Sequence, residues 1–248
     1  MKSRLWLLAP IVLLAAVAAG WAASAAAPDR SAEWAALGKL PDWHGIWELD
    51  WQHSPGLMRQ APPALLPAAQ KKLDIFRAAQ AKGENLQEQV ANCLPPGMPQ
   101  IMTQPYPIEF LFNPGKIVMV IEAYSQVRHV FTDGRKHPDD PDPTFQGHSI
   151  GHWEGDALVI DSVGFVKESL IAPGIPHSDQ MHIVERIRKT DPEHLSIETT
   201  ISDPQVLAKP WTTVRAYARV NDDLREYICE ENNHDSADAQ GRPGERIN

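Results

Sequence analysis

The sequence contains none of the short motifs that identify the commonest catalytic sites. It has no glycine-rich phosphate-binding loop, no Gly-x-Ser-x-Gly nucleophile elbow and no His-Glu-x-x-His zinc motif. Ser125, Ser149 and Ser162 lie in no recognisable nucleophile setting. Neither hydrolysis through an acyl-enzyme nor a dinucleotide-binding fold is therefore indicated.

Long hydrophobic runs are absent except at the start of the chain. Residues 1–25 run from Lys2 and Arg4 through a short apolar core to Ala23-Ser24-Ala25. This pattern predicts a secretory signal peptide rather than a membrane anchor, cleaved near residue 25. We therefore expect a periplasmic or secreted bacterial protein that has no membrane anchor after cleavage.

Cysteine is scarce, with Cys93 and Cys229 the two in the chain. In an exported protein we expect them to form one disulfide that pins the segment before the barrel to a strand near the end of the chain. The alternative is two separate buried thiols.

The chain carries an excess of acidic residues. The formal net charge of −9 becomes −11 once the signal peptide, with its two basic residues and no acid, is removed. Such a surface repels nucleic acid and anionic lipid, so we expect no nucleic-acid partner and instead a neutral or cationic small-molecule ligand or substrate.

One amphipathic helix is predicted between residues 61 and 90. Pro67 suits its first turn and Gly83 its end, and apolar residues recur between them at helical spacing. These apolar residues are Leu66, Ala69, Leu73 and Phe76. Upstream, the regularly spaced Trp43, Trp47 and Trp51 fit either a first strand or a helical turn.

Most of the remaining sequence alternates in the manner of β-strands separated by short turns. We predict a mainly β fold, an antiparallel up-and-down (lipocalin-like) β-barrel of about 8–10 strands with one flanking amphipathic helix, because closure removes exposed sheet edges. The expected organisation is a signal peptide (1–25), an N-terminal lead-in with the helix (26–105), the barrel (106–233, one domain with the lead-in) and a flexible tail (234–248). The predicted strands include 108–112, 117–123, 126–131, 182–188, 195–201, 211–220 and a last strand near 226–229.

A predicted hairpin from Phe145 to Phe165 carries two histidines. Glu154-Gly155-Asp156 forms its turn, and strand alternation places His148 and His152 on one face. If that face lines a cavity, the two imidazoles can do chemistry. The opposite face carries Ser149, Gly151 and Trp153.

Carboxylates at unexpected positions complete a candidate acid–base site. Alternation places Glu185 on the apolar face of its strand, where burial raises the pKa of a carboxyl group. We predict His148, His152, Glu185 and Tyr124 as catalytic residues facing one cavity. The alternatives are that Glu185 pairs with an arginine such as Arg215, or that its face is assigned wrongly.

Further polar residues are predicted to bind the ligand around this cavity. They are Glu122, Asp161, His177, Asp179 and His182. For Glu122 and Tyr124, a solvated pair at the rim is the alternative.

A metal site built on His148 and His152, with His177 or His182 as a third ligand, is a less favoured alternative. Residues four apart on a strand lie about 13 Å apart, too far to share one ion without a bulge. We therefore expect neither a metal nor a cofactor.

Several long motifs together resemble a large family of exported bacterial proteins. They are CLPPGMP, PYPIEF, EAYSQVRHVFTDGR, DPDPTFQGHSIGHWEGDALVIDSVGF, PHSDQMHIVER, KPW and EYICEENN, within residues 93–233. The resemblance implies export and carries no activity with it. A likeness to lipocalin-like barrels is an analogy of fold.

Two classes of function follow from these patterns. The first is a cofactor-independent lyase, dehydratase or isomerase that acts on a small, partly apolar molecule by histidine and carboxylate proton transfer. The second is a lipocalin-like binding protein without turnover. Ionisable groups inside a barrel favour the first.

Overall fold

A computed structural model describes residues 30–54, 61–84 and 93–229 of the chain. The predicted signal peptide and the predicted C-terminal tail lie outside the described residues. Among the helices that are described, none has the length and apolar character needed to cross a membrane.

Within the described residues, nine of the strands close into one barrel, which confirms the predicted fold class. Around the wall their order is β1, β11, β10, β9, β6, β5, β4, β3, β2. The strands are β1 (Ile46–Asp50), β2 (Ile108–Asn113), β3 (Lys116–Ile121), β4 (Gln126–Phe131), β5 (His148–Glu154), β6 (Ala157–Val163), β7 (Leu170–Ala172), β8 (Ile175–Pro176), β9 (His182–Asp191), β10 (His194–Ser202) and β11 (Trp211–Val220).

The barrel differs from a strict up-and-down antiparallel meander at one seam. β4 and β5 are parallel and pair only at Val130 with Ser149 and at Phe131 with Ile150. A parallel pair needs a long crossover connection, which the proline- and aspartate-rich segment 132–147 provides. The barrel is therefore mixed, and β4 and β5 separate on one side of this short ladder.

The predicted amphipathic helix is present beside the barrel. It is α2 (Pro67–Gln80), with proline in its first turn and Leu73 and Phe76 buried. Gly174 lies in the turn between β7 and β8, and a Cβ there would stand 2.3 Å from Phe76 Cδ1. The ring of Phe76 therefore packs directly on this glycine. This contact fixes α2 against the β7–β8 hairpin. A second short helix, α1 (Ser31–Leu37), precedes the barrel.

The N-terminal lead-in contributes directly to the barrel. β1 pairs with both β2 and β11, so it closes the wall. Trp47, which lies on this strand, is fully buried. The sequence predicts either a first strand or a helical turn for the segment around Trp47, and the structure shows a strand.

The disulfide between Cys93 and Cys229 is formed, with an Sγ–Sγ distance of 2.06 Å, as predicted. The last predicted strand is wrong, because the described residues 226–229 form no strand. Hydrogen bonds to residues distant in the sequence hold this segment instead. Ser125 Oγ donates to the carbonyl oxygen of Tyr227 at 3.1 Å, and the Arg225 N–H donates to Glu122 Oε2 at 2.7 Å.

Candidate active site

The histidines of β5 lie on the outer face of the barrel wall and not on the face that lines the interior. Ser149 is fully buried inside the barrel, whereas His148 is half-buried and His152 is exposed on the outer wall. A Cβ on Gly151 would meet Val130 Cγ1 at 2.8 Å, so only a very small residue fits on the inner face there. The small residues of β5 therefore point inward and the histidines outward.

Glu185 does lie inside the barrel, on the apolar face of β9. Its Oε2 accepts from Arg128 Nη2 at 2.5 Å, and both side chains are fully shielded from solvent. Arg128 also donates to Ser162 Oγ at 2.9 Å and to Ser149 Oγ at 3.2 Å. The alternative of an arginine partner for Glu185 is the one observed, although the arginine is Arg128 and not Arg215. Glu185 and the histidines lie on opposite faces of the wall, so the prediction that they face one cavity is wrong.

His152 is exposed on the outer wall, and Tyr124 is partly buried against the hydrophobic core. His152 Nε2 is 3.1 Å from Glu154 Oε1, and Glu154 in turn accepts from Arg186 at 2.5 Å. The ring of Tyr124 packs on Tyr227 with 4.9 Å between centroids. Strand alternation does not extend to Tyr124 because β3 ends at Ile121.

Glu122, His177 and Asp179 make contacts that serve the fold. Glu122 accepts the Arg225 N–H described above. Both ring nitrogens of His177 face backbone carbonyls, Nδ1 that of Ser178 at 2.6 Å and Nε2 that of Val166 at 2.8 Å. Asp179 is exposed and accepts from Gln205 at 3.3 Å. These three predicted ligand-binding residues are not brought to the histidines of β5.

His148, Asp161 and His182 do come together, on the outer faces of three adjacent strands, β5, β6 and β9. His137, from the segment between β4 and β5, joins them. His148 Nδ1 and His137 Nδ1 are 2.8 Å apart, and His137 Nε2 lies 3.1 Å from Asp161 Oδ1. His182 Nε2 approaches the same oxygen at 2.7 Å. We call these four residues the histidine row.

The contacts of the histidine row assign one tautomer to each linked ring. Asp161 Oδ1, as a carboxylate oxygen, accepts from Nε2–H of His137. Nδ1 of a neutral His137 is then an acceptor, so the 2.8 Å contact requires His148 to donate from Nδ1. The lone pair of His148 is left on Nε2, which is the form a general base needs.

His148 also lines a groove of about 540 Å³ on the outer wall. The groove opens where β4 and β5 separate, between residues 126–129 and residues 145–148. Its volume falls in the range typical of small-molecule sites. Its walls combine apolar side chains with a few polar ones. They include Val127, Phe131, Pro138, Pro141, Phe145, His129, Asp142, Gln126 and Gln146.

One groove residue has an unused hydrogen-bonding group. Gln146 is 8% exposed, and its amide nitrogen lies 3.4 Å from Gln126 Oε1. Its Oε1 is buried and has no hydrogen-bond partner among the described residues. A buried amide oxygen without a partner is costly, so a donor group on a ligand would stabilise it.

The surroundings of His148 favour its neutral form. Burial, together with the nearby His137 and Arg135, lowers the pKa of His148 below its ordinary value of 6.5. The rings of His148 and Phe131 are stacked, with 5.4 Å between their centroids. The guanidinium carbon of Arg135 lies 3.9 Å from the centre of the Phe131 ring. These contacts orient the ring of His148, and the lowered pKa favours its neutral form.

Sequence reasoning missed His137 and Gln146. Both lie in the segment between β4 and β5, where no strand period indicates the direction of a side chain. The available signal was the length of that connection, since long ordered loops in compact domains frequently carry function.

No protein-family model matches the sequence, and no curated protein is significantly similar to it.

Proposed function

We propose that this protein is an exported enzyme that catalyses proton transfer on a small, partly apolar molecule bound in the groove between β4 and β5. His148 is the general base. The reaction class is isomerisation or elimination, as in an isomerase, lyase or dehydratase. The observation that carries the proposal is the series of side-chain hydrogen bonds that runs from Asp161 through His137 to His148 at the groove.

The chemistry follows from the order of these contacts. His148 Nε2 takes a proton from the substrate and becomes an imidazolium, whose Nδ1–H continues to donate to His137. The carboxylate of Asp161 balances the new positive charge through His137, as an acceptor behind a catalytic histidine does in other enzymes. His148 can then return the proton to another atom of the substrate or to a leaving oxygen on the same face. One base is sufficient for isomerisation or for a syn elimination.

The groove supports a substrate with apolar and polar parts. Phe131, Phe145 and the prolines provide apolar contact, and Gln146 Oε1 offers an acceptor for a hydroxyl or amine. Glu185 has a different part in this proposal. Its ion pair with Arg128 supports the inner face of the wall behind the groove.

Export is part of the proposal. The Cys93–Cys229 disulfide is compatible with an oxidising compartment such as the periplasm or the cell exterior. The signal-peptide pattern of residues 1–25 supports the same location.

Comparative metabolite profiling tests the enzyme proposal. Wild-type protein, His148→Gln and the matched control His152→Gln are each incubated with a broad small-molecule extract, and compounds consumed or formed are measured by mass spectrometry. We expect one conversion shared by wild type and His152→Gln and reduced at least about a hundredfold in His148→Gln, the scale of general-base catalysis. A conversion that is unchanged in His148→Gln would refute the proposal.

A ligand-binding function without turnover is the second candidate, and a second cavity favours it. This cavity, of about 660 Å³, lies between α1 and β2 and is lined mainly by apolar and aromatic side chains. They include Trp34, Leu37, Leu40, Trp43, Phe110 and Phe112. Native mass spectrometry that finds a retained apolar ligand, lost in Trp34→Ala, together with no conversion by the wild type would favour this function.

A further inference from the structure

A second group of histidine and carboxylate side chains lies far from the histidine row. Asp50 ends β1, His53 follows it in a turn, and His194 begins β10. One ligand atom from each of these three residues lies within 4.8 Å of the other two. His182 and Asp191 mark the opposite ends of β9, about 30 Å apart for an extended strand of this length, so the two groups are separate.

The sequence brings these residues together across β11. Asp50 pairs with Ala216 and His194 with Ala218, on the two edges of that strand. Alanine side chains between them leave space for the larger side chains to meet above the strand. Ser54 fixes the turn, since its Oγ accepts from the Ala216 N–H at 3.0 Å and donates to the Ala216 carbonyl oxygen at 3.3 Å.

Asp50 and His194 each have one atom held by a hydrogen bond and another directed toward the rest of the group. Asp50 Oδ1 accepts from the backbone N–H groups of Gln52 at 2.9 Å and His53 at 3.0 Å. Its Oδ2 accepts a hydrogen bond of 2.6 Å from His53 Nδ1, which a bound metal ion would replace, and lies 3.7 Å from His194 Nε2. The second distance is too long for a hydrogen bond and close to the separation of about 3.3 Å between two ligands of one tetrahedral zinc ion.

Asp191 orients His194 from behind. Both of its carboxylate oxygens lie 2.9 Å from His194 Nδ1. The Nδ1–H therefore donates to Asp191, and the lone pair of Nε2 faces Oδ2 of Asp50. Two lone pairs that face each other repel, and a cation bound between them would remove this repulsion. A carboxylate that holds the outer nitrogen of a ligating histidine is the usual arrangement at such centres.

We infer that Asp50, His53 and His194 form a binding site for a divalent transition-metal ion of the zinc class, with Asp191 as the residue that positions His194. Two imidazole nitrogens and one carboxylate oxygen suit zinc, cobalt or nickel better than calcium or magnesium. The side chain of His53 is 68% exposed, so the fourth coordination position is open to water or to a ligand.

Zinc titration of the full, disulfide-bonded protein after chelator treatment tests the inference. Calorimetry should give one equivalent of bound zinc, and cobalt added in its place should show the intense visible absorption of a four-coordinate ion. His53→Ala and His194→Ala should each weaken binding by tenfold or more, and Asp191→Asn by about tenfold.

His44→Ala is the matched control, because His44 is an exposed histidine that contacts its own aspartate, Asp42. It should leave zinc affinity unchanged. Thermal unfolding of each variant without metal checks that the fold is intact. No saturable binding of one equivalent, or binding that survives His53→Ala and His194→Ala, overturns the inference. Binding lost in His148→Ala and retained in His194→Ala would place the metal at the histidine row and would also overturn it.

Discussion

Arg128 and Glu185 form a fully buried ion pair inside the barrel, with Arg128 Nη2 2.5 Å from Glu185 Oε2. Ser149 and Ser162 take further donors of the guanidinium. Arg128 Nη1 and Glu185 Oε1 have no hydrogen-bond partner among the described residues. The pair links β4 to β9 through the interior and supports the wall behind the groove.

Removing one member of this pair should be costly. Glu185→Leu leaves the guanidinium of Arg128 buried without a counter-charge, and we expect the free energy of unfolding to fall by about 3–5 kcal/mol. Urea denaturation measures this change. The double variant Arg128→Met/Glu185→Leu should recover much of the loss, because it removes both charges. A double variant as unstable as the single one would contradict this account.

The disulfide should stabilise the fold through the long segment that it closes. Cys93 and Cys229 are 136 residues apart, and replacing both with alanine should lower the free energy of unfolding by about 2–5 kcal/mol. Thermal denaturation with and without dithiothreitol measures the effect. Reductant should lower the melting temperature of the wild type and leave that of the double variant unchanged. An equal response of both proteins would contradict the assignment.

The glycine before His148 should be necessary for the geometry of the site. Gly147 has a φ of +68°, and a Cβ there would meet Phe165 Cε1 at 2.6 Å and the Val163 carbonyl oxygen at 2.8 Å. We expect Gly147→Ala to destabilise the fold by about 1–3 kcal/mol and to displace His148 from His137.

Gly155→Ala is the matched control for backbone strain. Its φ is +65°, and apart from its chain neighbours no atom of the described residues lies within 4 Å of the position its Cβ would take. It therefore carries the conformational strain without the collision. Equal loss of stability in the two variants, measured by urea denaturation, would show that the collision at Gly147 contributes nothing.

The lowered pKa of His148 should be visible in the pH dependence of stability. The unfolded histidine binds a proton near pH 6.5, whereas burial, His137 and Arg135 oppose protonation in the folded state. Between the folded pKa and 6.5 the unfolded chain binds more protons, so stability due to this group rises with pH in that window. Comparing unfolding of wild type and His148→Gln from pH 5 to pH 8 measures it. A stability difference that falls with rising pH would contradict the direction of the shift.

Strand alternation predicted much of the barrel. The bounds of β11 are the predicted residues 211–220, and Glu185 lies on the face that its apolar neighbours indicate. For β5 the period grouped the side chains correctly but did not identify the inner face. Sequence reasoning assigns the face with His148 and His152 to the interior because imidazoles can transfer protons. Yet the inner face belongs to Ser149 and Gly151, since Arg128 and Val130 from β4 need the space.

Other features depend on long-range contacts that no local pattern contains. Segment 132–147 makes a crossover to a parallel strand, and it carries His137 to Asp161, a residue of another strand. The segment near Tyr227 has the composition of a strand, but the disulfide and a few side-chain contacts hold it without a ladder. In both cases the partner comes from distant sequence, where period and turn chemistry provide no information.

The series of side-chain hydrogen bonds from Asp161 to His148 is tested most directly by long-range ¹H–¹⁵N correlation spectra of the histidine rings. At pH 7.5 we expect a neutral His148 with its proton on Nδ1 and a lone pair on Nε2, and a titration midpoint below 6.5. In Asp161→Asn the tautomer of His148 should become mixed, whereas in the control His152→Gln it should stay unchanged. A His148 that carries its proton on Nε2 in the wild type would contradict its assignment as the general base of the groove.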